Sequence, residues 1–137
     1  MAQRPWPVTA IVVTFNSERV IWDCIAEIAT RGMGRIVVDN ASTDGTADLA
    51  ERQGAVVIRN KENLGYGKAN NIGVQAADTE FVLICNPDVT VHANMIWGLM
   101  RAVEDYPDAG IWAPRVFQPD GREYFRTASY LSPGAQA

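Results

Sequence analysis

A chain of 137 residues has room for one compact domain with a real apolar core, but not for two. It is 47% hydrophobic and 20% charged, an ordinary globular mix, and its formal net charge of -4 argues against duplex DNA or an anionic membrane as a generic partner. Apolar runs are short and always followed by a polar or charged residue, so no transmembrane segment is predicted. Met1 to Pro7 holds two prolines and lacks the apolar stretch of a signal peptide.

Val8 to Thr14 is a nearly continuous β-branched run, as expected of a strand buried on both faces. Ser17 then offers an N-cap, and Val20, Ile21, Cys24, Ile25 and Ile28 follow at helical spacing, up to a stop at Arg31 to Gly34. Arg35 to Asp39 is a second strand, running into a polar loop from Asn40 to Gly45. Thr46 to Arg52 reads as a short helix closed by Gly54. Ala55 to Arg59 is a third strand, Asn60 to Gly65 a loop, and Gly67 to Ala77 a helix whose small residues permit close packing on a sheet.

Phe81 to Cys85 is a fourth buried strand, and Asn86-Pro87-Asp88 is a turn signal. Met95, Ile96, Leu99, Met100 and Val103 mark an amphipathic helix. Gly110 to Pro114 reads as a fifth strand. Val116 to Gln118 and Arg122 to Phe125 flank Pro119-Asp120-Gly121 as a hairpin. Residues 1–131 are expected to form one domain, and 132–137 a loose tail. Strands alternating with helices imply an α/β fold: a mostly parallel, Rossmann-like sheet flanked by helices, joined by right-handed crossovers.

Cys24 and Cys85 lie inside apolar segments without metal-type spacing and read as reduced core residues of a cytoplasmic protein. His92, the one histidine, reads as a surface residue near a helix start.

In an open parallel sheet, ligands bind at the carboxyl ends of the strands. Each of the four strands here delivers a polar or glycine cluster to that edge. Thr14-Phe15-Asn16 follows the first, Asp39 to Gly45 the second, Asn63 to Gly67 the third, and Asn86-Pro87-Asp88 the fourth. Every cluster has a plain structural reading as well. Asp39 suits a cap, or a carboxylate accepting the imide N–H of a pyrimidine. Gly65 and Gly67 suit a turn, or the close approach of a phosphate to a helix start. Asn70 and Asn71 are poor helix formers, explained either by a ligand or by a helix that starts one turn later. Asp88 suits a tight turn, or a ligand to a hard divalent cation beside a diphosphate.

Taken in order, IVVTFN, VVDNASTDGT, NKENLGYGKANNIG and LICNPDV resemble the family-2 glycosyltransferases of GT-A fold, and are most similar to their rhamnosyltransferase-like branch. The resemblance spans roughly Thr9 to Tyr106. It implies an inverting transfer of a sugar from a nucleotide-diphosphate donor, a dTDP- or UDP-sugar with dTDP-rhamnose foremost, to the hydroxyl of a glycan or lipid-linked glycan. Such work belongs to cell-wall or surface polysaccharide synthesis, in the cytoplasm or at the inner face of the membrane.

Carried over by position, the resemblance puts Thr14, Phe15 and Asn16 in the nucleotide pocket and Asp39 and Asn40 at the base. Gly65, Gly67, Asn70 and Asn71 fall near the ribose and diphosphate, with Asn86 beside them. Asp88 becomes the ligand of Mg²⁺ or Mn²⁺. The family's DxD motif stands here as Asn86-Pro87-Asp88, without its first carboxylate. Family members are longer, and the acidic residue that deprotonates the acceptor is expected beyond Ala137, with Glu123 an improbable substitute. Two other readings compete. A sugar-nucleotide nucleotidyltransferase would carry a glycine- and basic-rich loop where this chain has Phe15-Asn16-Ser17-Glu18. A non-catalytic module would keep the pocket and lose the chemistry.

Overall fold

The computed structural model describes residues 6–124. They fall into two compact units that divide after Ala93. The first unit runs β1 (Val8–Thr14), α1 (Glu18–Thr30), β2 (Gly34–Asp39), α2 (Thr46–Arg52), β3 (Val56–Arg59), α3 (Tyr66–Ala76) and β4 (Phe81–Cys85). These elements match the expected order, with boundaries moved by a residue or two.

All pairings in the sheet are parallel, in the order β3-β2-β1-β4. The first two crossovers step outward from β1 to β2 to β3, and the third returns across the sheet to β4 on the other side of β1. Because each crossover is right-handed, reversing the direction of travel puts α3 on the opposite face from α1 and α2. The chain therefore changes direction between β1 and β4, and a crevice opens there outside the strand ends.

Strand β1 is buried along its whole length, as its uninterrupted β-branched run requires. Ile11, Val13, Ile36 and Val38 point to one face and form a cluster with Ala69 of α3. Gly73 makes this contact close: a Cβ there would lie 2.4 Å from Ile11 Cγ2 and 3.1 Å from Val38 Cγ2. The small residues of α3 thus let its backbone approach the sheet, as its composition predicts. Helix α1 buries Ile21, Cys24, Ile25 and Ile28, the stripe read from the sequence.

The N-terminus of α1 departs from expectation. Ser17 occupies the N-cap position, but its side chain makes no cap hydrogen bond. The caps come from the loop after β2: Glu18 N–H donates to Asp44 Oδ2 at 3.2 Å and Ser17 N–H to Thr46 Oγ1 at 2.8 Å. Asp44 also accepts from Thr46 N–H at 3.0 Å, so one carboxylate ties the starts of α1 and α2 together. Desolvation opposes ionisation of Asp44, but these hydrogen bonds from Thr46 and Glu18 outweigh it and hold the carboxyl below its ordinary value.

The second unit begins within helix α4 (Ala93–Asp105). One expectation there fails: Gly110 to Pro114 forms no strand. The expected hairpin forms as a short one, with the antiparallel bridge Phe117 to Glu123, Gln118 N–H donating to Arg122 O at 2.8 Å and Tyr124 N–H to Val116 O at 2.7 Å. The segment 110–114 finds no partner strand among the described residues, so its apolar run builds no ladder. The turn itself forms, with Gly121 N–H donating to Gln118 O at 2.9 Å. Phe125 and the expected tail lie outside the described residues. His92 is exposed directly before α4, as its surface reading requires.

Candidate nucleotide-binding cleft

The loops after β1, β2 and β4 meet at the crevice. A cleft of about 520 Å³ is lined by Asn16, Ser17, Glu18, Arg19, Asp44, Asn86 and Asp88, together with Val20 and Pro87. Of the residues singled out by sequence, the cleft unites Asn16, Asn86 and Asp88. Asn86 and Asp88 are exposed, and Asp88 accepts no hydrogen bond from any described residue.

The β2 end is built differently. Asp39 is 3% exposed. It accepts from Thr14 Oγ1 at 2.8 Å, from Ser42 N–H at 3.0 Å and from the Ser42 hydroxyl. Thr14 is therefore not an open pocket residue; its hydroxyl anchors the Asp39 carboxylate across the β1–β2 ladder. Three of a carboxylate's roughly four acceptor positions are thus taken, one at Oδ2 remaining. The polar loop is pinned further by Asn16, whose Oδ1 accepts from Thr43 N–H at 2.9 Å and whose own N–H donates to Ser42 Oγ at 2.9 Å. Asn16 and Ala41 hold positive φ, at 50° and 62°, a conformation non-glycine residues keep only where their surroundings impose it.

Asn40, also buried, joins this loop to the next. Its Oδ1 accepts from Asn60 Nδ2 at 2.8 Å and from Leu64 N–H at 3.4 Å, and its Nδ2 donates to Gly65 O at 3.4 Å. Gly65 stands at the N-cap of α3 with φ 80° and ψ 163°, a region open only to glycine. Gly67 has no such constraint, and a Cβ there would meet nothing within 4 Å. The fold does not demand glycine at that position; open space lies above it. Phe15 and Tyr66 present half-exposed rings at the starts of these two loops, 52% and 50% exposed.

Asn70 and Asn71 lie inside α3, which corrects the alternative of a later helix start. Asn70 is buried. Its Nδ2 donates to Tyr66 O at 3.0 Å, while its Oδ1 is buried without a partner. Asn71 is exposed.

Beneath Asn86, Cys24 and Cys85 are free thiols, Cys24 buried and Cys85 half-buried. Their side chains share a hydrogen bond that lowers Cys24 and raises Cys85, and Cys24 Sγ lies 3.8 Å from Asn86 O. Glu123, the late carboxylate, is engaged by the Arg115 guanidinium, whose Nε donates to it at 2.8 Å and which holds it below the usual range.

Sequence reasoning missed Ser17, Glu18, Arg19 and Asp44 as cleft residues. Asp44 carried a signal, since an Asx residue at a helix start caps whichever N–H groups lie nearby. Arg19 carried none, because an arginine in an exposed helical turn is commonplace.

The Glycosyl transferase family 2 profile matches residues 9–134. The chain is 38% identical over 101 residues to an uncharacterized glycosyltransferase of Mycobacterium tuberculosis (strain ATCC 25618 / H37Rv), covering 74% of this chain and 45% of that protein. It is 33% identical over 107 residues to the N-acetylglucosaminyl-diphospho-decaprenol L-rhamnosyltransferase of the same strain, covering 69% and 35%. Among solved structures, a mannosyltransferase from Pyrobaculum calidifontis in complex with GDP-Man and Mn²⁺ superposes with a TM-score of 0.64 at 25% identity, covering 73% of this chain and 34% of that one. The chain thus spans less than half the length of these relatives. Its parallel sheet, with the cleft at the reversal of strand order, matches the GT-A glycosyltransferases. With the profile covering nearly the whole chain, the protein belongs to glycosyl transferase family 2.

Proposed function

We propose that this chain binds the nucleotide-diphosphate sugar of an inverting glycosyltransferase, which passes the sugar to an acceptor hydroxyl. The observation that carries the reading is the cleft between the ends of β1 and β4, where Asp88 is exposed and unengaged while every neighbouring loop is internally braced. A braced wall that presents free carboxylates, Asp88 on the β4 turn and Glu18 at the start of α1, is a preorganised site rather than a packed turn.

In this reading the base lies toward the β2 end. The remaining acceptor position on Asp39 Oδ2 meets a pyrimidine imide N–H, Asn40 holds the wall in place, and Phe15 offers a ring face. The open space over Gly67 admits the ribose or diphosphate, with the unpartnered Asn70 Oδ1 and the exposed Asn71 on the same helix.

The described residues contain no cluster of three or more His, Cys, Asp or Glu side chains able to hold a metal. One carboxylate completed by phosphate oxygens is nevertheless the usual way Mg²⁺ is held beside a nucleotide, so Asp88, with the Asn86 amide near it, fits a substrate-borne cation. That cation, Mg²⁺ or Mn²⁺, would neutralise the charge gathering on the departing diphosphate.

The name of the rhamnosyltransferase relative supports rhamnose as the transferred sugar and a lipid-linked glycan as acceptor, while dTDP as its carrier and work at the cytoplasmic face of a membrane rest on the resemblance of the motifs alone; no helix among the described residues is long and apolar enough to cross a membrane. Glu123, bound to Arg115, is not assigned as the base that deprotonates the acceptor. Calorimetric titration with dTDP, UDP and GDP, with and without Mn²⁺, tests the reading. Saturable binding tightened by Mn²⁺, strongest for dTDP, is expected. Absence of binding for all three overturns it, and a preference for GDP overturns the pyrimidine assignment alone.

A further inference from the structure

The charge balance of the cleft does not suit its proposed ligand. Glu18, Asp44 and Asp88 line it, and a nucleoside diphosphate brings two to three further negative charges. One cation on one carboxylate leaves that excess only partly compensated, in a site where neighbouring like charges repel. Arg19 is the single cationic side chain in the lining. It also lines the adjoining depression of about 240 Å³, where Asp88 appears again and the other charged residues, Asp23 and Glu27, are acidic. Arg19 and Asp88 thus each line both depressions.

Arg19 is exposed, and no described residue forms a hydrogen bond or ion pair with its guanidinium. Four other described arginines are held in ion pairs, Arg31 to Glu27, Arg59 to Asp48 and Glu51, Arg115 to Glu123 and Arg122 to Asp120, and of the arginines without such a partner Arg19 is the one that lines the cleft. An arginine left unpaired among carboxylates, at the mouth of the cleft, is held ready for an anion. The planar guanidinium matches the geometry of phosphate oxygens, which it can grip through two parallel N–H donors.

Resting on the nucleotide reading of this cleft, we propose that Arg19 is a diphosphate-binding residue: it clamps the donor's diphosphate directly, opposite the cation on Asp88. It compensates for the neutral Asn86 where a second carboxylate would hold the metal more firmly. Part of the affinity for the diphosphate then persists without a divalent cation, and this part distinguishes a diphosphate from a monophosphate.

The test titrates UDP, dTDP and GDP, and the matching monophosphates, into the full chain in EDTA and in Mn²⁺. Wild type is compared with Arg19→Ala and Arg19→Lys. In EDTA the wild type is expected to bind its preferred diphosphate more tightly than the monophosphate. Arg19→Ala should weaken the diphosphate roughly ten- to a hundredfold, the usual worth of charged hydrogen bonds. It should leave the monophosphate within about twofold, and Arg19→Lys, a point charge without the fork, should fall between. Because Arg19 is exposed, its variants should melt with the wild type, which separates binding from folding. Equal diphosphate affinity in Arg19→Ala and wild type overturns the assignment while leaving the nucleotide reading intact. Loss of all binding by the wild type itself overturns the nucleotide reading on which the assignment rests.

Discussion

Two aspartates close neighbouring loops at the same edge of the sheet, and they have opposite fates. Asp39, at the end of β2, is buried and accepts three hydrogen bonds from Thr14 and Ser42. Asp88, after β4, is exposed and accepts none from any described residue. The difference follows from position in the sheet. Strand β2 lies between β1 and β3, so donors from the loop and from β1 converge on its end. Strand β4 borders only β1 in this sheet and lies beyond the reversal of strand order, so the turn after it faces the crevice. One carboxylate builds the wall; the other is offered to whatever the wall encloses.

The sharpest way to break this comparison is to remove both in turn. Asp39→Ala leaves the buried Thr14 hydroxyl and the half-buried Ser42 N–H without their acceptor, and is expected to cost roughly 3 kcal/mol in urea unfolding. A loss no larger than that of Asp88→Ala would erase the distinction. The wall can also be tested from behind. Gly73→Ala drives a methyl group against Ile11 and Val38 and should cost roughly 1–3 kcal/mol, with the nucleotide sites untouched except through the shift of α3. Unchanged stability would mean that α3 is not seated as closely as the structure places it.

Asp44 lies between the two extremes: exposed, yet used as a cap. Asp44→Ala should lose about 1 kcal/mol, the usual worth of an N-cap. The hydrogen bonds hold its folded value below the unfolded one, so its contribution is complete above about pH 3.9 and vanishes as pH falls through the lower folded value. The stability gap between wild type and Asp44→Asn, measured by unfolding from pH 7 down to pH 2, should therefore close only at the acid end. The smallest effect on stability belongs to Asp88→Ala, within about 0.5 kcal/mol of wild type. That same variant should lose the Mn²⁺-dependent part of diphosphate binding. Undiminished stimulation by Mn²⁺ would remove Asp88 from the cation site.

The chain itself determined the secondary elements of the first unit, because each carries a local signature. The β-branched run of β1, the 3.6-residue stripe of α1 and the small residues of α3 each specify a period and a buried side without reference to the rest. It also determined that polar clusters follow every strand, since alternating strands and helices leave one edge for them. It misjudged Gly110 to Pro114, where apolar composition gives no information about whether a partner strand exists to complete a ladder.

What only the tertiary structure decided is how the polar residues divide. Asp39, Thr14, Asn40 and Asp88 are all polar residues at strand ends, and nothing in one dimension says which of them faces inward. Which of them is spent on the fold depends on groups up to 25 residues distant, such as Thr14 on Asp39 or Gly65 on Asn40. Arg19 shows the converse: nothing in its local sequence marks it, and only the folding of α1 and the β4 turn places an unpaired guanidinium in the same cleft lining as Asp88. Hydrophobic periodicity is a local quantity, whereas hydrogen-bond satisfaction is settled only when distant segments meet.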